Sequence, residues 1–366
     1  MIQHRVAVLP GDGIGPEVIA VARRCVEAAG RRFGFETDWD ERTVGGTAID
    51  AVGMPLPPDT LEACRAADAV LLGAVGGPQW DHPSARVRPE DALLGLRSAL
   101  ELFANLRPVV AHPALDAASP LRPEVRAGAD LLIVRELTGG LYFGRPQGRS
   151  VTDGVEWVVD TLHYTRPEIE RIVELAFELA EGRHGHLTSV DKANVLASSR
   201  LWREVTDEIS ARHPSVTLEH ALVDSTAYLL LTQPTRYDVI VTENLFGDIL
   251  SDEAAAIAGS LGLLASASLG TRVTDTGRFG MYEPVHGSAP GIAGRGLANP
   301  LATVASAALM LRLSLGEADA ADALDTAVDE AIAHGPRTAD LGGDDGTEAV
   351  ASFLLARIEA RAEVPA

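Results

Sequence analysis

One candidate for proton transfer stands alone in this chain by its residue type. Among 31 basic residues only Lys192, in the stretch SVDKANV at 189–195, is a lysine. A guanidinium stays protonated at any accessible pH, whereas an amine can lose its proton when buried or crowded by cations. One amine kept in an otherwise arginine-only chain fits a proton acceptor, and it also fits a surface lysine left by chance. A second signal is ENLFGDILSDEAAAIAGS, where Asp248 and Asp252 are four residues apart. A helix puts both carboxylates on one face about a turn apart. Such a pair suits a hard divalent cation, Mg2+ or Mn2+, and equally a solvated acidic edge.

A third signal lies in RPEDALLGLRSALELFANLRP. Glu90, Leu93, Leu94 and Arg97 follow i, i+3, i+4, i+7 spacing and share one helix face, while Leu96, Leu100 and Phe103 form a separate apolar set that can bury the helix. An acid, two leucines and an arginine together suit a small molecule with a branched alkyl group and a carboxylate. Arg107 and Arg135 are further candidates for bidentate carboxylate clamps. Taken singly, each of these residues also fits core packing with snorkelling arginines. LPGDGIGPEV has glycines at 11, 13 and 15 but lacks the spacing of a dinucleotide fingerprint. The segment YEPVHGSAPGIAGRGLANP carries His286, Ser288 and Asn299; it could wrap a planar base and present amides to phosphates, or be a surface loop.

The elements that must position these groups alternate between strand and helix. HRVAVLP reads as a strand, GDGIG as a turn, and PEVIAVARRCVEAAGRRF as a helix with Pro16 at its start. A helix over 59–67 and the strand DAVLLGAVGG follow. LRPVVAHP, ADLLIVREL and GGLYFG read as strands, and 144–165 as an extended arm. A helix over 167–180, the strand HLTSVDK, a helix over 196–212 and the strand YDVIVTEN come next. A long helix is predicted over 245–264, then a glycine-rich loop region and helices over 301–315, 319–334 and 347–361. This alternation implies an α/β fold.

Composition bounds the function. At 366 residues the chain fits two large domains, and 46% hydrophobic with 23% charged content is that of a globular protein. A net charge of −21 argues against nucleic acid or anionic membrane as partner, but not against a small anion held by local arginines. Cys25 and Cys64 cannot form a disulfide framework and read as reduced core residues. The N-terminus lacks signal-peptide anatomy and no stretch is of membrane-spanning length, so a cytoplasmic enzyme is expected.

Taken in series, LPGDGIGPEV, LFANLRP, VRELTGGLYFG, SVDKANVL, YDVIVTENLFGDILSDE, GSLGLLASASLG, EPVHGSAP, GLANP and DLGG resemble the β-decarboxylating dehydrogenases, the family of the isocitrate, homoisocitrate, tartrate and 3-isopropylmalate enzymes. The substrate helix EDALLGLR is similar to the 3-isopropylmalate type. The resemblance implies an isopropylmalate dehydrogenase-like, non-Rossmann fold of two domains around a cleft, with a central mixed sheet. The first domain would comprise 1–105 and 263–366 and the second 106–262, with a dimer-clasping arm at about 138–165. It implies a homodimer with shared active sites, in which Lys192 and Asp224 come from the partner subunit. Tyr142 and Lys192 would be catalytic. Glu90, Leu93, Leu94, Arg97, Arg107, Arg135, Asn194 and Val195 would bind substrate, and Asp224, Asp248 and Asp252 the metal. Ile14, Glu283, His286, Gly287, Ser288, Ala289, Asn299 and Asp340 would contact NAD. One departure from the pattern is Gly291 followed by Ile292, where NAD-dependent members carry aspartate and NADP-dependent members lysine then tyrosine. The implied reaction is oxidative decarboxylation of 3-isopropylmalate in leucine biosynthesis; a paralogue acting on another 3-substituted malate is the alternative.

Overall fold

The structure, a computed structural model, describes residues 2–82 and 85–360; Arg361, the last residue of the helix predicted over 347–361, lies outside them. The chain divides into two compact units. One comprises the chain up to Leu102, His112–Pro120 and the chain from Ala258 onward; the other comprises Phe103–Ala111 and Leu121–Ile257. Both are α/β with mixed strand directions.

In the first unit the strand order is Phe35–Glu41, Ile2–Gly11, Ala69–Ala74, Arg278–Pro284, Ala265–Val273. The last two pair antiparallel and the others run parallel. Val6 to Leu9 are buried without interruption, as expected of a strand covered on both faces. The strand ends at Gly11, in the left-handed region (φ 74°), where an added Cβ would lie 1.9 Å from the Ala74 carbonyl oxygen. Only glycine fits that approach. The chain then enters the helix Gly15–Phe33, with proline in its first turn and left-handed Gly34 closing it. Helices Leu301–Leu313, Ala318–His334 and Thr347–Glu359 pack with it around one core. Cys25 and Cys64 are free and buried there, with burial pushing both thiols up to about 12.

In the second unit the order is Leu102–Val110, Asp130–Glu136, Val239–Thr242, His186–Asp191, Thr217–Leu222, with only the first pair antiparallel. Its longer helices are Arg166–Glu181, Ala197–Ser210, Val223–Thr232 and Asn244–Ala258. Thr165 and Glu168 form a reciprocal cap at the first of these. Within 144–165 the chain forms an antiparallel hairpin, Gly148–Thr152 with Val155–Val159. Asp153 and Gly154 at its turn are both left-handed, the geometry that matches the twist of a two-residue hairpin. Val151, Val155, Trp157 and Val158 are exposed on it.

Several sequence expectations are corrected. GGLYFG is not a strand: Gly140–Tyr142 is a single 3-10 turn. The helix expected to run to 264 stops at Ala258, because Gly259 turns left-handed (φ 100°), and a short 3-10 turn Leu261–Leu263 follows. Part of the region read as loop is strand, Ala265–Val273 and Arg278–Pro284. Small residues such as Ala and Ser carry little β signal; here burial and pairing make the strand. No described helix is long and apolar enough to cross a membrane.

Candidate active site

In the second unit, two strands, a 3-10 turn and one helix bring five predicted residues together. Arg135, near the end of Asp130–Glu136, is 2% exposed. Its Nε and Nη2 donate to Asn244 Oδ1 at 3.1 and 2.8 Å, and its Nη1 donates to Asp248 Oδ1. Arg107, on Leu102–Val110, donates to Asn105 Oδ1 (2.8 Å), Ser251 Oγ (2.6 Å) and Asp252 Oδ1 (3.1 Å), with its Nη2 3.7 Å from Asp248. Tyr142 donates its hydroxyl to Asp248 Oδ2 at 2.7 Å. Burial first, and the Asp248 carboxylate second, push its phenol up to about 12, so it keeps its proton at neutral pH.

The helix Asn244–Ala258 does put Asp248 and Asp252 on one face, and the Arg107 guanidinium lies against both. Two hard carboxylates on one face, with the Asp252 side chain 66% exposed, are oxygen ligands of the kind a divalent metal takes. Asp224 is elsewhere. It accepts from Lys192 Nζ at 2.5 Å, and this contact holds its carboxyl below the ordinary range. Among the described residues no three acidic, histidine or cysteine side chains form a metal-holding group, so Asp224 does not join Asp248 and Asp252 within one chain. Asn194 and Val195, just beyond Lys192, are exposed.

In the first unit, the helix Asp91–Ala99 buries Ala92 and Leu96 and leaves Leu93 partly and Leu94 largely open, with Leu100 buried just past its end. The buried set and the face with Leu93 and Leu94 thus fall on different sides, but Phe103, expected to help bury the helix, lies in the strand Leu102–Val110. Glu90 precedes the helix with its carboxylate over Gly76, where a Cβ would meet it at 2.8 Å. Arg97 faces Glu283 at 3.5 Å, and its Nε is buried without a hydrogen-bond partner.

The glycine loop and the loop after Arg278–Pro284 interlock through backbone. Ile14 N–H donates to the Ser288 carbonyl at 2.8 Å, and a Cβ on Gly13 would sit 2.0 Å from that oxygen. Ala289, next to Ser288, is left-handed (φ 38°). His286 Nδ1 lies 3.0 Å from the Gly287 carbonyl, while its Nε2 is buried and unpartnered; burial holds the imidazole below its ordinary pKa. Asn299 Nδ2 and Ser260 Oγ both donate to Asp340 Oδ2, at 2.9 and 2.8 Å. An orphaned imidazole nitrogen beside a glycine cradle fits a dinucleotide. Gly291 has nothing within 4 Å of an added Cβ.

Sequence reasoning missed the residues that hold these groups. Asp12, buried in the glycine loop, accepts from the Gly46, Thr47 and Gly76 amides at 2.8, 2.7 and 2.9 Å. Glu17 accepts from the Gly294 and Gly296 amides, fixing the segment after Gly291. Asn105, Ser251 and Asn244 orient the two arginines. Backbone partners leave no sequence signal, whereas Asn244 in TENLFGD is a polar side chain at the start of the aspartate-bearing helix.

The isocitrate/isopropylmalate dehydrogenase model matches residues 5–354, and the chain belongs to that family. Among its relatives, the 3-isopropylmalate dehydrogenase of Anaeromyxobacter dehalogenans is 58% identical over 97% of this chain and 99% of its own. That of Geobacillus kaustophilus is 56% identical over 94% and 92%. Among solved structures, isocitrate dehydrogenase from Methylococcus capsulatus aligns with a TM-score of 0.85 at 35% identity, over 98% of this chain and 100% of that one.

Proposed function

We propose that this chain catalyses the oxidative decarboxylation of (2R,3S)-3-isopropylmalate to 4-methyl-2-oxopentanoate with reduction of NAD, a step of leucine biosynthesis. The observation that carries the reading is Tyr142: a phenol held protonated, 2.7 Å from Asp248, beside two buried arginines. This is a general acid placed where carboxylates can be clamped. The near-full-length likeness to 3-isopropylmalate dehydrogenases supports the substrate over another alkylmalate.

Arg97, Arg107 and Arg135 hold the malate carboxylates through their planar forks. Leu93 and Leu94 contact the isopropyl group, with Glu90 beside them. Asp248 and Asp252, with Asp224, would hold Mg2+ or Mn2+, which when bound supplies Lewis-acid polarisation of the substrate oxygens. Lys192 accepts the C2 hydroxyl proton through water as hydride leaves C2. The β-keto acid so formed loses CO2, and Tyr142 delivers a proton to C3 of the enol. Asn194 and Val195 contact the substrate. Ile14, Glu283, His286, Gly287, Ser288, Ala289, Asn299 and Asp340 line the dinucleotide. Because Asp224 and Lys192 stand apart from Asp248 in one chain, we assign them to the site of a second copy, in a homodimer clasped by the hairpin.

The test is absorbance at the NADH band together with CO2 release, with 3-isopropylmalate, NAD and Mg2+. Stoichiometric NADH and CO2, abolished by excess chelator, is expected. A preference for isocitrate, or activity undiminished by chelator, would refute the reading.

A further inference from the structure

Behind the Tyr142 turn lies a buried polar group that the mechanism above does not use. Glu136 and Glu243 are both nearly inaccessible, at 0% and 5% exposed. Glu136 accepts from the Thr138 hydroxyl and from the Thr138 and Gly139 amides, both at 2.8 Å. Glu243 caps the helix Asn244–Ala258 by accepting from the Phe246 amide at 3.0 Å. Between them stands Tyr164, whose hydroxyl accepts from the Asn244 amide at 3.0 Å and lies 3.3 Å from Glu243 Oε2.

The contacts on either side of this phenol lead to the reacting groups. Its ring is packed so closely on the turn that a Cβ on Gly139 would meet ring carbon Cε1 at 2.5 Å, and one on Gly140 would meet the hydroxyl at 2.8 Å. Those two glycines start the turn that carries Tyr142. On the other side, the Asn244 side chain donates to the Gly139 carbonyl at 3.1 Å and accepts from Arg135 Nε and Nη2. Arg135 in turn holds Asp248, which holds Tyr142.

We infer that Tyr164 is a positioning residue for this reaction: its hydroxyl fixes the Asn244 backbone while its ring seats the Gly139–Gly140 turn, so that one side chain sets the aim of both Arg135 and Tyr142. Burial and the two neighbouring carboxylates push the phenol far above the ordinary range, so it stays a neutral donor to carboxylate. A bond to a backbone amide at a helix start is worth keeping in a dry site, because a buried amide left unmet is costly.

The inference rests on the proposed reaction, and its test separates the two. Tyr164→Phe keeps the ring and removes the hydroxyl. Expected are a kcat for 3-isopropylmalate about tenfold lower, a raised KM for the hydroxy acid through Arg135, and a KM for NAD within about twofold of wild type. Deuterium exchange at C3 of 4-methyl-2-oxopentanoate, followed by NMR, needs Tyr142 but no hydride transfer and should slow by a similar factor. Asn244→Ser interrupts the same link, so the double variant should be far less impaired than the product of the single effects. Unchanged exchange in Tyr164→Phe, or multiplicative effects, would overturn the inference. A wild type inactive on 3-isopropylmalate refutes the proposed reaction instead. The crystal structure of Tyr164→Phe then decides: a displaced Tyr142 hydroxyl supports the positioning role, and an unmoved 2.7 Å contact to Asp248 ends it.

Discussion

Two groups of reactive residues in the second unit are held in opposite ways. Tyr142, Arg107, Arg135 and Asp248 are locked to one another and to Asn105, Asn244 and Ser251, with both guanidinium groups buried. Lys192 and Asp224 share a single ion pair, and the Asp224 side chain is 61% exposed. In the proposed reaction the first group is the acid and anion-binding half, without a base. The second is the proposed base, its side chain 26% exposed, and a proposed metal ligand left largely open to solvent. Preorganised groups belong where charge develops, so a pair whose carboxylate is left open makes sense when another surface completes it. The contrast argues that the proposed site is assembled from two copies.

The largest expected effect breaks the open half. Lys192→Arg keeps the positive charge and removes the proton acceptor, so kcat should fall about 10²–10⁴-fold. Substrate binding by the buried arginines should change little. Steady-state kinetics check this, and a variant retaining near-wild-type turnover would deny Lys192 its role.

Next is the locked half. Asp248→Asn should lower the rate about 10²-fold or more through loss of metal stabilisation. It also removes the carboxylate that raises the Tyr142 phenol. The sign follows: without that anion the phenolate is less disfavoured, and any alkaline limb due to Tyr142 shifts to lower pH. A metal titration and a pH–rate profile read both effects; an unchanged metal affinity would contradict the assignment.

A smaller effect lies in the first unit, whose loops are built from backbone contacts. Gly291 leaves the position open. Gly291→Asp could add a charge-assisted hydrogen bond to a ribose hydroxyl, worth roughly 1.5–3 kcal/mol. NAD should bind more tightly and NADP more weakly, with turnover little changed; wild type should discriminate weakly between them. Titration calorimetry with each dinucleotide tests this, and strong wild-type exclusion of NADP would show that another residue reads the ribose. Smallest are Leu93→Ala and Leu94→Ala, which should shift preference among alkylmalates by only about 1–3 kcal/mol, because apolar pockets discriminate weakly. Loss of all alkyl preference, or none, in kcat/KM series would count against the pocket.

The same contrast explains what could be read from sequence. Side chains that act by charge and periodicity were legible: Asp248 with Asp252 on one helix face, and Leu96 with Leu100 turned to the core away from Leu93 and Leu94. Groups that act through backbone were not. Nothing in GGLYFG announces a 3-10 turn, since its cause is the approach of Tyr164, more than twenty residues away, to Gly139 and Gly140. Ala265–Val273 is a strand because Arg278–Pro284 pairs with it, and pairing across a sheet is invisible to local pattern. Asp12 and Glu17 bind backbone amides, which every residue type but proline offers.

The most direct test of the two-copy site is complementation. Lys192→Arg and Tyr142→Phe chains, each inactive alone, are mixed under conditions that exchange subunits, with hybrid formation verified by native mass spectrometry. In a hybrid dimer one site receives both substitutions and the other neither. At equal mixing about half the dimers are hybrids, each with one intact site, so activity should recover to about a quarter of wild type. No recovery in a sample shown to contain hybrids would contradict the account and place Lys192 and Tyr142 in the same copy's site.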